Sequence, residues 1–144
     1  MELLKIARRP ALTLSPEHTV SDAAALMAKE EAGAVIVVNP GEQVLGIFSE
    51  RDNLLRVTHE DLNPRTTRLA DVMTTEVRTA SPETSIDDAL SLMIRNRMRH
   101  LPIVDASKKV LGVATFRYLL MRRIGEKEAT LETLLAYIDA GGPG

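Results

Sequence analysis

A hydroxyl and a carboxylate lie three positions apart in one short stretch of the sequence, GIFSERD at residues 46–52. They belong to Ser49 and Asp52, and an apolar run precedes them. At this spacing Ser49 can cap the first turn of a helix, with Asp52 in that turn and close to the positive end of the helix dipole. The same two groups can also hold a ligand. The elements that surround them decide between a helix cap and a binding site.

The composition is that of a globular domain. The chain has 144 residues, a net charge of -2 and 44% hydrophobic residues, which suffices for a compact domain with a core. No apolar run approaches the roughly 20 residues of a membrane-spanning helix, and the N-terminus lacks the pattern of a signal peptide. We therefore expect a cytoplasmic protein without membrane contact. There is no cysteine and the three histidines are scattered, so we expect no metal site: His18, His59 and His100.

The sequence contains no recognisable catalytic motif. It has no Gly-rich phosphate loop before a lysine, no G-x-S-x-G stretch and no paired metal ligands, so we expect no catalytic residues and no catalytic cofactor. Nucleic acid is a weaker alternative partner, because the net charge is negative and only two Phe and two Tyr could stack on bases. The second half is nevertheless locally basic, through Arg95, Arg97, Arg99, Arg122 and Arg123.

The sequence is internally repeated. A shift of 66 residues places TLSPEHTVSDAAALM (13–27) on TASPETSIDDALSLM (79–93), and VLGIFSERDNLLR (44–56) on VLGVATFRYLLMR (110–122), without a gap. Over 13–57 this gives 15 identities in 45 positions, where about three would arise by chance. The chain is therefore a duplicated unit.

Each copy carries the same order of local patterns. A Ser-Pro turn and a capping-box pattern, Thr19 to Asp22 or Ser85 to Asp88, precede apolar residues at helical spacing, which predict a helix with one buried face. Two apolar runs then predict paired strands, at 34–38 and 44–48 in the first copy and at 101–104 and 110–114 in the second. A second helix is predicted at about 50–57 and 116–123.

The predicted fold is α/β, with two tandem β-α-β-β-α repeats packed with pseudo-twofold symmetry, because neither copy can bury its sheet alone. The first repeat is assigned to 1–57, a linker to 58–68, the second repeat to 69–125, and a C-terminal helix with a flexible tail to 126–144. Within that last segment the helix is predicted over 130–139.

The repeated motifs resemble a known family. S-P-E-x-[TS]-[VI]-x-D-A-x-x-L-M, RHLPIVD and V-L-G-[IV]-x-[ST]-x-R occur in order, and LADVMT (69–74) opens the second copy. Over nearly the whole chain this resembles a tandem pair of cystathionine-beta-synthase-type (CBS) domains, or Bateman module, of the stand-alone bacterial or archaeal type. The resemblance implies a ligand-sensing module, usually dimeric through its helices. Its ligands would contain adenosine, such as AMP, ADP, ATP, S-adenosylmethionine or NAD, and no catalysis is implied.

Within this resemblance GIFSERD is the ribose-binding stretch, with Ser49 and Asp52 as the groups that bind the sugar. A carboxylate suits this role because its two oxygens can accept from the 2′ and 3′ hydroxyls together. The matching stretch of the second copy, GVATFRY at 112–118, keeps a hydroxyl in Thr115 but has Tyr118 in place of the carboxylate. The resemblance thus implies one complete ribose site, in the first copy.

The phosphate of the same ligand would be bound from the second copy, across a cleft between the repeats. The implied residues are Arg99, His100 and Arg117, and arginine is suited to phosphate because its guanidinium can donate two parallel hydrogen bonds. The first copy has the uncharged Gly33 and Ala34 in place of Arg99 and His100. A single asymmetric site is therefore expected, with an adenine pocket formed by Ile47, Glu76, Val77, Arg78 and Pro102.

Three functions follow from these observations. The leading hypothesis is a sensor that binds an adenine nucleotide, most often AMP, ADP or ATP, and signals through a homodimer to an unidentified regulated protein. The second is a ligand-independent dimeric adaptor that docks through the helix predicted at 130–139. The third is weak nucleic-acid binding through the arginine cluster, which would fall steeply with salt.

Overall fold

The structure, a computed structural model, describes residues 2–126 together with Leu135 and Ile138. Most of the helix predicted at 130–139 therefore lies outside the described residues. The elements in chain order are α1 (Glu2–Ile6), β1 (Thr13–Leu14), α2 (Val20–Glu30), β2 (Ala34–Val38), β3 (Val44–Ser49), α3 (Glu50–Asp52), a π-helix (Asn53–Thr58), α4 (Leu69–Val72), α5 (Ile86–Arg95), β4 (His100–Val104), β5 (Val110–Thr115) and α6 (Phe116–Glu126).

These elements form two compact units, each with its own hydrophobic core. The first unit consists of Ala11–Val77 and Ser107–Val110. The second consists of Met1–Pro10, Arg78–Ala106 and the chain from Leu111 onward. The predicted α-β-β-α order is confirmed in both repeats: α2 precedes the paired strands β2 and β3, α5 precedes the paired strands β4 and β5, and a helical segment follows each pair.

The first helix of each repeat is capped as its sequence predicts. In α2, Asp22 N–H donates to Thr19 Oγ1 at 3.2 Å and Thr19 N–H donates to Asp22 Oδ2 at 3.0 Å, a complete capping box. In α5, Asp88 N–H donates to Ser85 Oγ at 3.0 Å. The apolar residues predicted to form the buried face are buried in both helices, including Met27 and Met93, except Ala24, which is exposed.

The two repeats also share backbone conformations at equivalent positions. The non-glycine residues with left-handed backbone include two pairs that are 66 positions apart, Glu31 with Arg97, both at φ 52°, and Glu42 at 63° with Lys108 at 66°. The first pair follows the end of the first helix of each repeat, and the second pair lies in the turn between the paired strands. The duplication is therefore visible in geometry as well as in residue identity.

Two elements differ from their predicted form. The helix predicted at 50–57 is a short α-helix that continues as a π-helix, whereas its counterpart α6 is α-helical throughout. The first strand of the second repeat is reduced to a single parallel bridge between Ala80 and Ile103. In the first repeat Ile36 N–H donates to Leu12 O at 2.8 Å, but proline stands at the equivalent position 102 and has no N–H to donate.

The segment that precedes each repeat belongs to the unit formed mainly by the other repeat. Residues 1–10 belong to the second unit, where Arg8 pairs with Val113 in an antiparallel bridge. Thr74, which is 66 positions after Arg8, pairs in the same way with Ile47 in the first unit. Each leading segment thus covers the outer edge of the last strand of the unit to which it belongs.

Candidate functional site

Strand β3 ends at Ser49, and Ser49 and Asp52 form a complete capping box at the start of α3. Asp52 N–H donates to Ser49 Oγ at 3.2 Å, and Ser49 N–H donates to Asp52 Oδ2 at 3.0 Å. The Ser49 hydroxyl also lies 3.1 Å from the same carboxylate oxygen. The helix-cap interpretation of GIFSERD is therefore confirmed, and these contacts involve only Oδ2 of Asp52.

The other carboxylate oxygen of Asp52 faces the segment after α4. Thr74 Oγ1 donates to Asp52 Oδ1 at 3.0 Å, and Arg56 Nε lies 3.7 Å from the same oxygen. Asp52 is only 8% exposed and is the one charged residue buried in the described part of the chain. A carboxylate in this position is held rigidly by neighbours on both of its oxygens.

Thr74 and Arg56 were not among the residues predicted for the site. Arg56 is four positions after Asp52, a spacing at which opposite charges meet on a helix, and this could have identified it. It also donates through Nη1 to Met73 O at 3.0 Å, which ties the π-helix to the segment that carries Thr74. For Thr74 the sequence offered no such signal, because it meets Asp52 across 22 positions of the chain.

Three of the predicted adenine-pocket residues lie in the same unit as Ser49 and Asp52. Ile47 is in β3 and exchanges backbone hydrogen bonds of 2.9 Å with Thr74 in both directions. Val77 and Ile47 are half-buried and Glu76 is exposed. Thr74 thus pairs with Ile47 through its backbone and with Asp52 through its hydroxyl, while Glu76 and Val77 follow two and three residues after Thr74.

The predicted phosphate-binding residues lie together in the second unit. Arg99 directly precedes β4, His100 is its first residue, and Arg117 is the second residue of α6, which directly follows β5. Phe116 N–H donates to Arg99 O at 2.8 Å, which joins these two places through the backbone. Arg99 and Arg117 are exposed. The second unit therefore presents two guanidiniums and an imidazole at one end of its strand pair.

The two remaining adenine-pocket residues, Arg78 and Pro102, also belong to the second unit. Arg78 is exposed, and Pro102 is buried in β4, where its carbonyl accepts from Ala80 N–H at 2.9 Å. The ten predicted site residues thus form two sets, five in each unit.

His100 is neutral near physiological pH. Burial lowers its pKa from 6.5 to about 4, and the positive charge of Arg99 acts in the same direction. The imidazole can therefore donate a hydrogen bond to a phosphate oxygen, but it adds no positive charge of its own in the free protein.

The second unit has no counterpart of the Asp52 carboxylate. Tyr118 occupies that position with 62% of its surface exposed, and its N–H donates to Thr115 Oγ1 at 3.3 Å. Thr115 therefore keeps the capping role of Ser49 without the acidic group. Two arginines of the basic cluster are engaged in ion pairs, Arg122 with Glu2 and Arg123 with Asp87.

The described residues contain neither a candidate metal site nor a membrane-spanning helix. No cluster of three or more His, Cys, Asp or Glu side chains could hold a metal ion there. None of the helices described is both long enough and apolar enough to cross a bilayer.

The chain is similar in sequence and structure to known proteins. It is 34% identical over 134 residues to the CBS domain-containing protein CBSX3, mitochondrial, of Arabidopsis thaliana, matching 90% of this chain and 65% of CBSX3. A solved structure of a protein with CBS domains from Burkholderia ambifaria MC40-6 superposes with a TM-score of 0.79 at 33% identity, over 88% of this chain and 93% of that one.

A third similarity concerns fold alone. The CBS domain pair of protein MJ0100, solved in complex with 5-methylthioadenosine and S-adenosyl-L-methionine, superposes with a TM-score of 0.79 at 20% identity, over 87% of this chain and 97% of that one. The family model for the CBS domain matches this sequence twice, at residues 4–52 and 69–125. The chain therefore belongs to the CBS-domain family and carries a pair of CBS domains, which form a regulatory module.

Proposed function

We propose that this chain is a non-catalytic sensor that binds one adenine nucleotide, AMP, ADP or ATP, and signals its occupancy to a protein partner. The ribose is bound by Ser49 and Asp52 of the first unit. The phosphate is bound by Arg99, His100 and Arg117 of the second. The sensor acts as a homodimer in the cytoplasm.

The environment of Asp52 is the observation that carries this proposal. A carboxylate offers about four acceptor positions, and the protein fills three of them with the donors Ser49 N–H, Ser49 Oγ and Thr74 Oγ1. Both Ser49 donors are on Oδ2, so a ribose hydroxyl would bind Oδ1, where it takes the place of the Thr74 hydroxyl. Because Asp52 is already buried and oriented, little additional ordering would be needed when the sugar binds.

The chemistry of the second unit supports a phosphate-bearing ligand. Arg99 and Arg117 are exposed and their backbones are joined through the hydrogen bond between Phe116 and Arg99. Guanidinium groups bind phosphate through two charge-assisted hydrogen bonds each, which are stronger than neutral ones. Adenosine ligands also fit this fold, since the more distant CBS pair of MJ0100 was solved with two of them.

A thermal-shift series with AMP, ADP, ATP, NAD and S-adenosylmethionine tests the proposal. At about 100-fold excess over Kd a ligand of the folded state adds roughly 2.7 kcal/mol of stability. We expect an adenine nucleotide to raise the Tm of the wild type, and we expect Asp52→Asn to reduce that rise to about half or less. No shift with any of the five compounds would refute the proposal.

Asp22→Asn is the matched control. Asp22 caps α2 with the same two backbone bonds that Asp52 makes in α3, but it is outside the proposed site. In both variants the Asn oxygen can still accept from the N-cap N–H, and only the negative charge at the start of the helix is lost, which should cost each about 0.3–1 kcal/mol of stability. Only Asp52→Asn should lose most of the response to nucleotide. An equal loss in both variants would mean that Asp52 acts only as a cap.

A further inference from the structure

Arg56 connects the buried carboxylate of the first unit to the segment that follows α4. Its Nη1 donates to Met73 O at 3.0 Å and to Val72 O at 3.4 Å, and its Nε lies 3.7 Å from Asp52 Oδ1. The Arg56 side chain is about half exposed, whereas Asp52 is buried. One guanidinium thus spans a group of the proposed ribose site and two consecutive backbone carbonyls.

The two carbonyls lie at the C-terminal end of α4, which ends at Val72 with Met73 as its C-cap. The last carbonyls of a helix have no acceptor role within the helix, and a positive side chain beside them is favourable. Because α4 has only four residues, it has little stability of its own. Arg56 therefore helps to fix the end of α4, and the residues after it, to the first unit.

The second repeat has an arginine at the equivalent position. Arg122 lies 66 positions after Arg56, and its Nη2 donates to Glu2 Oε2 at 3.5 Å. In each unit the arginine at this position therefore contacts the leading segment that belongs to that unit. In the second repeat Tyr118 occupies the position of Asp52, so the link from this arginine to a carboxylate at that position is specific to the first unit.

The segment fixed by Arg56 continues into the predicted adenine pocket. Glu76 and Val77 lie three and four residues after Met73, in the same unit. The position of these base contacts relative to Asp52 therefore depends on how firmly the segment is attached to the rest of the unit.

Nucleotide binding would make the contacts of Arg56 more important. In the structure Thr74 Oγ1 ties the segment to Asp52 Oδ1 at 3.0 Å. In the proposed function a ribose hydroxyl takes that place, so the segment gives up its side-chain bond to Asp52. The hydrogen bonds from Arg56 to the carbonyls of Val72 and Met73 use neither carboxylate oxygen and can persist.

We propose that Arg56 is a positioning residue for the base of the nucleotide: it holds the segment at 72–77 in place relative to Asp52, so that the adenine and the ribose are bound together. The inference rests on the proposed function and adds a residue outside the ten predicted for the site. Arg56 acts through the backbone of Val72 and Met73 and not through contact with the nucleotide. Its loss should loosen the contact with the base more than the contact with the sugar.

A different role would follow if only the charge of Arg56 mattered. The guanidinium is close enough to Asp52 to offset part of its negative charge, which opposes an anionic ligand. Loss of that charge would weaken binding of the whole nucleotide without changing how the base is held relative to the sugar. A measurement that separates base from sugar therefore distinguishes the two roles.

Saturation-transfer NMR with AMP makes this separation, because it reports how closely each ligand proton contacts the protein. The ratio of transfer at adenine H2 to transfer at ribose H1′ comes from the same bound molecule, so it does not depend on the folded or occupied fraction of the protein. In Arg56→Gln we expect this ratio to fall to about half of the wild-type value or less, and the affinity for AMP to fall about three- to tenfold.

Amide hydrogen exchange measures the attachment of the segment directly, without added nucleotide. Peptides that cover residues 72–77 should exchange about fivefold faster in Arg56→Gln than in the wild type, because the segment opens more easily. Peptides that cover β2 should exchange at the wild-type rate.

Arg65→Gln is the matched control. It makes the same change of charge at an exposed position of the first unit, outside the contacts described for Arg56. It should keep the wild-type saturation-transfer ratio, AMP affinity and exchange rates. Changes in Arg65→Gln as large as those in Arg56→Gln would show a general effect of charge and would overturn the inference.

Two further results would overturn the inference and leave the proposed function in place. One is an unchanged ratio of H2 to H1′ transfer in Arg56→Gln, with or without a loss of affinity. The other is unchanged amide exchange at 72–77. A wild type that binds no AMP in a calorimetric titration would also remove the inference, while the thermal-shift series judges the proposed function separately.

Discussion

The two carboxylate oxygens of Asp52 accept hydrogen bonds from different parts of the chain. Oδ2 completes the cap of α3 through Ser49, and Oδ1 accepts from the Thr74 hydroxyl at 3.0 Å. In the proposed function a ribose hydroxyl takes the place of the Thr74 hydroxyl on Oδ1, while the cap remains intact. Thr74 would then satisfy a buried acceptor only while the site is empty.

Replacing Thr74 by valine tests this exchange. Without the hydroxyl, Oδ1 of Asp52 lacks a hydrogen bond in the free protein, which should cost about 1–2 kcal/mol of stability. A ribose hydroxyl restores that bond, so Thr74→Val should have a lower Tm than the wild type and a larger rise in Tm on adding nucleotide. Thr75→Val is the control at the exposed neighbouring position. A smaller rise in Thr74→Val than in the wild type would contradict the exchange.

His100 predicts a pH dependence of stability. Its folded-state pKa is about 4, below the ordinary value of 6.5, so the unfolded chain binds a proton at a higher pH than the folded chain does. The stability associated with the neutral ring is therefore fully present above pH 6.5 and decreases as the pH falls towards 4, by up to about 3 kcal/mol.

Urea unfolding between pH 7.5 and 4 measures this effect against His100→Gln. Carboxylates also titrate towards the lower end of this range, so the informative quantity is the difference between the two proteins. The wild type should lose more stability than His100→Gln as the pH is lowered. Parallel curves would show that the imidazole is not kept neutral by its surroundings.

The local part of the site could be predicted from the sequence and the distant part could not. The Ser49–Asp52 pairing follows from a three-residue spacing, which capping geometry fixes without reference to the rest of the fold. Thr74 meets Asp52 across 22 positions. That contact depends on where the segment after α4 runs, and no local pattern in the sequence specifies this.

Among the elements, the glycines of the two V-L-G motifs have a shared structural role. A Cβ at Gly46 would lie 2.8 Å from both Met73 Sδ and Thr74 O, and a Cβ at Gly112 would lie 2.9 Å from Arg8 O. Both glycines thus allow a leading segment to approach the last strand of the unit. In the first unit this approach also positions Thr74 beside Asp52.

Gly46→Ala should therefore destabilise the protein. The added methyl group meets backbone as well as the Met73 side chain, and such overpacking costs about 1–3 kcal/mol. Gly125→Ala is the control, because that glycine lies in α6 with nothing within 4 Å of an added Cβ, and alanine there should be neutral or stabilising by about 1 kcal/mol. Chemical denaturation measures both. Equal stability of the two variants would contradict the close approach.

The strong periodic patterns predicted their elements correctly, and the exceptions have identifiable causes. Helices α2 and α5 were predicted because apolar residues recur at helical spacing, and the four paired strands were predicted because short apolar runs mark buried strands. The reduced first strand of the second repeat follows from the missing N–H of Pro102. The π-helix at 53–58 carries no sequence pattern that separates it from an α-helix.

At the scale of the molecule, each unit contains a segment from both repeats. Residues 1–10 belong to the second unit, whereas α4 and Thr74, from the start of the second repeat, belong to the first. The linker at 58–68 takes part in the first unit, where Val20 N–H donates to Thr67 O at 2.9 Å. The segment at 69–78 therefore contacts Asp52, a proposed ribose-binding residue, through Thr74 and continues directly into the second unit at Arg78.

Calorimetric titration of AMP into the wild type, Asp52→Asn and Arg117→Ala tests the central claim most directly. We predict one AMP per chain, and a loss of affinity of about 10-fold or more in each variant, since a charge-assisted hydrogen bond contributes about 1.5–3 kcal/mol. Adenosine, which has no phosphate, should bind Arg117→Ala as well as it binds the wild type. Two AMP molecules per chain, or unchanged affinity in either variant, would contradict a single site that takes its ribose contacts from one CBS domain and its phosphate contacts from the other.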